Sequence, residues 1–528
     1  MASATNLRLR RSAAQLHALA GVEREIRAQD SHSRRKYLRE FSQAFLKYDS
    51  LLDSQQLRNA LHAADVVLIG DYHALPVAQR YAASLFEQRA LSADRPIVLG
   101  VETIFARDQH ILDEWWRREI DETELRQRIR FDIDWGYDWA PFYELLVAAR
   151  DHGEAVYGLD CMPRENLRKI GARDRHAAAK IAEMRDRHPE AAIFVLFGES
   201  HLAPGHLPRA LQKEIPDAKV LTVLQNVDSL YWRAAGEQAD KVEAVRVNDK
   251  VLCVFNATPL EKYENYRLFL DQWSRCDNGP DFAPTVYNLI DSLAAFLQIN
   301  RYSAHNHTQP KFLVDMLPEV HGIASSTALR RLLARKGITQ QKLENMLTAV
   351  EERGSAYLPH ANAFCIREFQ MMNAAEDATR FLHHACRGLP LRRTGEEARA
   401  DQFEAALRNA DAFYAGVVEN AVAYFGSRVL YPSQTAPQPE EFSFSRAACE
   451  KAALAALRDP DKFESIAQEW GCRIGHELYT AYLEGKLKPS ALRRLFLAHL
   501  EQPGQARKVC TAIIAKIRSA SRARLKSA

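Results

Sequence analysis

Two stretches of this 528-residue chain decide the predicted fold of its first half: Asp65-Val-Val-Leu-Ile-Gly-Asp-Tyr-His73 and Ala192-Ile-Phe-Val-Leu-Phe-Gly-Glu-Ser-His201. Each contains a short apolar run that ends in glycine, and a histidine follows three residues later. Such a run is typical of a strand that is buried on both faces of a parallel sheet. The glycine permits a tight backbone bend and the close approach of a ligand where the strand ends.

Three similar runs, at residues 96–102, 155–160 and 219–225, predict further strands, and helical patterns lie between them. Alternation of strands and helices predicts an α/β fold with a mostly parallel sheet and helices on both faces. Residues 242–255 form two alternating runs around Asn248-Asp249, which predicts a hairpin at the edge of the same sheet.

The length of the chain is sufficient for two or three domains. We predict a helical N-terminal segment over residues 1–62, the α/β domain over residues 63–258, and a large all-α C-terminal region over residues 259–528. Strand patterns disappear after about residue 258, and helical patterns continue to the end, among them residues 361–386 and 398–427.

Composition excludes several classes of protein. The formal net charge of +3 gives no electrostatic case for nucleic-acid binding. The eight cysteines are scattered without a C-x-x-C pair, so neither a structural zinc site nor a disulfide framework is indicated, and a reducing compartment is favoured. No stretch has the length and apolar content of a signal peptide or a membrane span, which predicts a soluble, cytoplasmic protein.

Polar side chains follow four of the predicted strands. They are Asp71, His73, Glu102, Asp160, Glu199 and His201. Ligands of open parallel sheets bind outside the carboxyl ends of the strands, so these side chains mark a candidate site.

The chemistry of this site stays open at this point. His73, Glu102 and His201 are residue types that hold a divalent metal. The same three residues, with Glu199, could instead catalyse acid–base chemistry without a metal. Histidine is also an axial ligand of haem, as is tyrosine, and Tyr72 keeps that option open.

Several motifs together resemble the ChaN-like haem-binding uptake proteins of the Tiki/TraB/erythromycin-esterase superfamily, over about residues 60–230. These motifs are residues 66–73, Gly-Val-Glu102, residues 131–143, Cys161-Met-Pro-Arg-Glu-Asn, Ala172-Arg-Asp174 and Phe197-Gly-Glu-Ser-His201. The resemblance implies an α/β fold in which paired Gly-x-x-His turns and a glutamate line one cleft, at His73, Glu102 and His201. It implies haem or iron binding in one branch, and hydrolysis of peptides or of a lactone in others.

The resemblance also points to two arginines beside the cleft, but it does not identify a tyrosine ligand of haem, so Tyr72 is included only because tyrosine is a known haem ligand. Arg164 and Arg173 match the family pattern, and an arginine near the cleft could bind a carboxylate or a haem propionate. With Tyr72, His73 and His201 they form the predicted cofactor-binding set. Asp71 departs from the family, in which glutamate usually follows the first glycine.

Three hypotheses follow for the function. The first is binding of haem, or of another small molecule related to iron, in the α/β domain. The second is a hydrolase that uses His73, Glu102 and His201 with or without a divalent metal. The third is an interaction protein whose helical half binds a partner. Whether the protein is an enzyme, and whether it forms a homodimer, are left open.

Overall fold

The computed structural model describes residues 4–30, 36–92, 95–162, 170–238, 242–275, 279–299, 316–323, 325–335, 340–387, 409–432, 445–459, 462–500 and 502–525. The chain divides into two compact units. One is Glu25–Leu270, called here the α/β unit, and the other combines Met1–Arg24 with Asp271–Ala528, called here the helical unit. The domain boundaries predicted at residues 62 and 258 stay predictions.

The described residues of the α/β unit form an eight-stranded sheet. Its strands are β1 (Ser50–Leu52), β2 (Val66–Asp71), β3 (Ile97–Phe105), β4 (Ala155–Asp160), β5 (Ala192–Gly198), β6 (Val220–Gln225), β7 (Ala244–Asn248) and β8 (Val251–Val254). Their order is β1-β7-β8-β6-β2-β5-β3-β4. The strands from β8 to β4 are parallel, whereas β7 pairs antiparallel with β8 and with β1. The predicted mostly parallel sheet and the predicted hairpin are therefore confirmed, but the hairpin is not the edge of the sheet, because β1 pairs outside β7.

Helices cover both faces of this sheet. The helices from the start of the chain to the end of the unit are α1 (Ala4–Gln29), α2 (Lys36–Ala44), α3 (Ser54–Ala63), α4 (Pro76–Leu91), α5 (Gln109–Trp116), α6 (Glu122–Arg128), α7 (Phe131–Asp134), α8 (Trp139–His152), α9 (Ile170–Arg187), α10 (Leu207–Glu214), α11 (Asp228–Glu237) and α12 (Pro259–Arg275). Val67 and Ile69 pack on the face that holds α4 and α8. Val66 and Leu68 pack on the opposite face, with α9 and α10.

This arrangement explains why β2 reads as a continuous apolar run. Alternate side chains of a strand point to opposite faces, so a strand between two helical layers has no solvent-facing position. All six residues of β2 are buried. Full burial of an aliphatic side chain stabilises the fold by roughly 1.5–3 kcal/mol. The buried central strands therefore hold the residues at their ends in fixed positions.

The described part of the helical unit is mostly helical, as predicted. Its remaining helices are α13 (Ala283–Leu297), α14 (Ser326–Arg335), α15 (Gln340–Arg353), α16 (Met371–Arg387), α17 (Ala410–Leu430), α18 (Arg446–Arg458), α19 (Phe463–Leu483), α20 (Pro489–Phe496) and α21 (Gln505–Leu525). Nothing among the described helices has the length and apolar content needed to cross a membrane.

This unit also contains a small sheet that the sequence pattern does not reveal. Its strands are β9 (Glu319–Gly322), β10 (Ser355–Leu358) and β11 (Ala363–Ile366), in the order β10-β11-β9. The predicted start of a helix at residue 361 is therefore wrong, because β11 comes first and the helix begins at Met371. A four-residue apolar run does not by itself distinguish a strand from a helix. The first part of the predicted helix over residues 398–427 lies outside the described residues.

Candidate functional site

The two Gly-x-x-His turns emerge side by side because β2 and β5 are adjacent and parallel. At the second turn glycine is required by close approach. A Cβ atom on Gly198 would lie 2.9 Å from Glu102 Oε2 and 3.1 Å from His73 Cε1. At Gly70 the nearest side-chain atom would be 3.4 Å away, an ordinary contact. The second glycine therefore lets Glu102 and His73 reach the backbone of the neighbouring strand.

Glu102 lies at the centre of a buried cluster at this edge of the sheet. Its Oε2 accepts a hydrogen bond of 2.5 Å from the Gly198 N–H, and its Oε1 accepts one of 2.5 Å from Arg173 Nη2. His73 Nε2 is 3.9 Å from Oε2, and His201 Nε2 is 3.7 Å from Oε1. The structure thus brings together the three residues that the sequence predicted for one cleft.

The surroundings of Glu102 keep it ionised. Burial alone raises the pKa of this carboxyl group, but Arg173, both histidines and the Gly198 N–H outweigh burial and lower the pKa to about 2. An acid with this pKa is a permanent anion at neutral pH. Glu102 therefore suits the stabilisation of positive charge, and it does not suit the donation of a proton.

Arg173 joins the ends of two strands. In addition to Glu102 on β3, it binds Asp160 at the end of β4 through two hydrogen bonds, of 2.8 Å from Nε and 3.0 Å from Nη2. Burial lowers the pKa of Arg173, but the two carboxylates outweigh burial and raise it. The guanidinium is only 6% exposed, so it faces protein carboxylates. The role predicted for Arg173 in cofactor binding stays a prediction.

Each histidine of the pair is oriented by an aspartate. His73 Nδ1 is 2.7 Å from Asp71 Oδ2, and His201 Nδ1 is 2.5 Å from Asp174 Oδ1. Because each Nδ1 contacts a carboxylate, each Nε2 is directed toward Glu102. A carboxylate on one ring nitrogen fixes both the orientation of an imidazole and its tautomer.

Sequence reasoning missed two polar groups that contact this cluster. The second oxygen of Asp174 is 3.1 Å from His206 Nδ1, and His206 Nε2 is 3.2 Å from Glu40 Oε2. Glu40 belongs to α2, within the segment that was predicted only as helical. No local pattern connects that helix with the turns after the strands, because the contact depends on tertiary packing.

A cavity of about 610 Å³ opens beside the cluster. His73 and Asp71 line it, whereas Glu102, Arg173 and His201 do not. Much of its wall is aromatic, from Tyr37, Tyr72, Tyr137, Tyr263 and Tyr266. The His73 ring centroid lies 4.4 Å from that of Trp135 and 5.4 Å from that of Tyr137. Small-molecule sites have this volume and this mixture of apolar and polar groups.

Comparison with known proteins supports the resemblance seen in the sequence. Residues 57–193 match the family model described as haem-binding uptake, Tiki superfamily, ChaN. The matched region includes His73, Glu102 and Arg173, and it ends before His201. A solved structure described as cofacial heme binding to ChaN of Campylobacter jejuni is 15% identical, with a TM-score of 0.25, and the similarity covers 33% of this chain and 86% of that one. No curated protein matches the chain.

The predicted role of Tyr72 as a haem ligand stays a prediction, and in this structure its surroundings favour the neutral phenol. Burial raises its pKa well above the ordinary value, and the negative charge of Glu199 raises it further. Tyrosine binds iron as the phenolate, and without iron this pocket favours the protonated phenol. Lys262 Nζ lies 4.6 Å from the centre of the Tyr72 ring.

Glu199 belongs to the second Gly-x-x-His motif, but its side chain binds a lysine that lies outside that motif. Both of its oxygens accept hydrogen bonds from Lys262 Nζ, at 2.8 and 3.0 Å. Burial raises the pKa of Glu199, and Lys262 opposes that effect. Lys262 is itself buried, on α12, and sequence reasoning did not single it out. Glu199 is thus paired with a lysine, and its predicted catalytic role stays a prediction.

The predicted metal site at His73, Glu102 and His201 is not supported. Within the described part of the chain, no group of three or more histidine, cysteine, aspartate or glutamate residues is arranged to hold a metal ion. The physical reason is that the Arg173 guanidinium already supplies a positive charge 2.5 Å from Glu102. Arg164, predicted to contact a cofactor, lies outside the described residues.

Proposed function

We propose that the α/β unit binds haem in the cavity beside His73. The observation that carries the proposal is the His73–Asp71 pair at the wall of an aromatic cavity of about 610 Å³. The match of residues 57–193 to a haem-binding family model agrees with it.

Of the two histidines, His73 is the one that lines the cavity, so it is the one placed to bind the iron, and iron at Nε2 would replace the contact of that atom with Glu102, which is 3.9 Å away. Histidines that ligate metals usually donate their other ring N–H to a carboxylate, which raises their basicity and fixes the ring. Asp71 occupies that position relative to His73, and the side-chain amide of Gln79 donates to Asp71 in turn. The His73 side chain is 24% exposed, whereas that of His201 is 5% exposed. His73 is therefore the accessible member of the pair.

The other walls of the cavity match the remaining parts of haem. Tyrosine rings offer flat, weakly polar surface to a porphyrin. Arg39, which lines the cavity, supplies a cation that a propionate can bind. Arg173 and Lys262 both bind carboxylates, the buried Glu102 and the partly exposed Glu199, so their role in this proposal is to hold these two side chains in place.

Titration of the purified full-length chain with haem, followed by visible absorption, tests the proposal. We expect a Soret shift in the wild type, its loss in His73→Ala, and affinity weakened about 10- to 100-fold in Asp71→Asn, because Asp71 only supports the ligand. The matched control is His188→Ala. His188 is also paired with a glutamate, 3.3 Å away, and is 20% exposed, but it does not line this cavity. The proposal fails if the wild type gives no spectral change, or if His73→Ala binds haem as tightly as His188→Ala.

A second candidate function is hydrolysis. It is favoured by the two His–Asp pairs that direct both Nε2 atoms toward one permanent carboxylate. A histidine oriented by a carboxylate is the usual general base for the activation of water. His73 would be that base, because it lines the cavity, and Glu102 would stabilise the imidazolium that forms.

Hydrolysis of chromogenic esters and lactones tests this candidate. We expect turnover in the wild type, a loss in His73→Ala and in His201→Ala, and unchanged turnover in His188→Ala. If folded His73→Ala retains its turnover, hydrolysis with His73 as the general base is ruled out. Haem titration of the same preparations distinguishes this function from the first.

A further inference from the structure

The helical unit brings together two cysteines that lie far apart in the sequence. Cys449 on α18 and Cys510 on α21 are separated by 61 positions, yet their sulfur atoms are 3.9 Å apart. Both side chains are buried, at 2% and 1% exposure. The scattered cysteine spacing gave no indication of this pair.

Charged side chains hold the two helices together beside the thiols. Arg507 Nη2 donates a hydrogen bond of 2.6 Å to Glu450 Oε1, and Arg446 Nε donates one of 2.9 Å to the same oxygen. Glu450 follows Cys449 directly, and Arg507 precedes Cys510 by about one helical turn. The side chains of Arg507 and Glu450 are 48% and 37% exposed, so this ion pair links α18 and α21 beside the sulfur atoms but contributes little to stability.

We propose that Cys449 and Cys510 are a site of oxidative modification, at which a hydroperoxide converts the two thiols to a reversible disulfide that joins α18 to α21. A disulfide bond is about 2.05 Å long, so the sulfur atoms must approach each other by about 2 Å. Disulfides in reducing compartments are typically transient and redox-sensing, in agreement with the compartment predicted from the cysteine pattern.

The contact between the thiols shifts their pKa values in opposite directions. The hydrogen bond from Cys510 lowers the pKa of Cys449, against the effect of burial, and both this bond and burial raise the pKa of Cys510. The thiolate is the nucleophile in thiol chemistry. We therefore write the reaction with Cys449 as the attacking sulfur and Cys510 as the resolving thiol, although the contact lets either sulfur donate and the same disulfide results from the reverse order.

The reaction consumes one equivalent of hydroperoxide for each disulfide that forms. The Cys449 sulfur attacks the O–O bond and becomes a sulfenic acid, while the other oxygen leaves as an alcohol, or as water from hydrogen peroxide. The Cys510 thiol then attacks the Cys449 sulfur. The S–S bond forms, the S–O bond breaks, and the hydroxyl leaves as water with the thiol proton. Because both sulfur atoms are buried, we expect the rate to depend on local opening of the helices.

The test is oxidation of the folded full-length chain with hydrogen peroxide, followed by alkylation, digestion without reductant and mass spectrometry. We expect a cross-linked peptide pair that contains Cys449 and Cys510, two hydrogens lighter than the reduced peptides and released by dithiothreitol. Cys449→Ser and Cys510→Ser must each remove it. Cys472→Ser is the matched control, because Cys472 lies on α19 of the same unit and is more exposed.

A physical readout complements the chemical one. The link must raise the thermal unfolding midpoint of the oxidised wild type above that of the reduced protein, and this difference must vanish in Cys449→Ser. The proposal is overturned if Cys472 is oxidised in the folded wild type while no link between Cys449 and Cys510 forms. It is also overturned if these two cysteines pair no more often than other cysteines do. Both outcomes are read from the wild type, so they do not depend on whether a variant folds.

Discussion

Replacement of Arg173 by alanine tests the reasoning about the buried cluster most directly. The substitution leaves Glu102 and Asp160, each at most 3% exposed, without their guanidinium partner. The pKa of Glu102 lies at about 2 instead of 4.5, a difference of about 2.5 units. At about 1.36 kcal/mol per unit, this corresponds to roughly 3 kcal/mol of stability at neutral pH. The loss of one partner of a buried ion pair costs about 3–5 kcal/mol, which agrees with that figure.

The pH dependence of the unfolding free energy provides a second test of the role of Arg173. A carboxyl group whose pKa is lowered on folding contributes stability above its ordinary pKa, and that contribution disappears as the pH falls through the lowered value. For Glu102 this window runs from about pH 4.5 down to about pH 2. Arg173 is the strongest of the groups that lower this pKa. The difference in unfolding free energy between wild type and Arg173→Ala should therefore be largest near neutral pH and should shrink below about pH 4.5.

Urea unfolding followed by tryptophan fluorescence measures this difference, because five of the seven tryptophans belong to the α/β unit. Arg95→Ala is the matched control. Arg95 lies 3.0 Å from Asp65, but their side chains are 34% and 26% exposed, so we expect a cost below about 1 kcal/mol. The reasoning is refuted if Arg173→Ala costs no more than Arg95→Ala, or if its cost is the same at pH 7 and pH 3.

Two further substitutions test the walls of the site. Gly198→Ala places a methyl group 2.9 Å from a Glu102 oxygen and 3.1 Å from the His73 ring, so we expect weaker haem binding in a titration, whereas Gly70→Ala, with its nearest side-chain atom at 3.4 Å, should have the smaller effect. Equal affinities for the two variants would contradict this account of the second turn. Tyr72→Phe should retain the Soret band, because burial favours the protonated phenol, and loss of the band would instead identify the phenolate as an iron ligand.

The central strands were predictable because burial on both faces leaves a strong pattern in the sequence. The expected strands at 155–160 and 192–198 coincide with β4 and β5, and those at 65–70, 96–102 and 219–225 differ from the observed ones by at most three residues at either end. The edge strand β4 was also predictable from its mostly apolar run, whereas the opposite edge strand, β1, leaves no comparable pattern. β1 has three residues, and its pairing with β7 depends on a partner almost two hundred positions away.

The residues of the candidate site also fall into two groups, those that the sequence indicates and those that only the structure reveals. Residues at or just after the carboxyl ends of the predicted strands, such as Glu102 within β3 and His201 after β5, could be found from sequence because chain topology places them at one edge. Lys262 and Glu40 lie on helices whose sequences carry no mark of the site. The separate roles of the two glutamates, one held by Arg173 and the other by Lys262, also required the structure.

The strand order has a consequence for work with fragments of this chain. The region that matches the family model ends at residue 193, within β5, whereas β2 pairs on its other side with β6 at Val220–Gln225. A fragment cut to the matched region would convert β2, with all six residues buried in the intact unit, into an unprotected apolar edge. Such edges recruit strands from other molecules, so the fragment should aggregate. Expression of the α/β unit on its own therefore needs the segment through β8 for solubility, even though that segment lies beyond the family match.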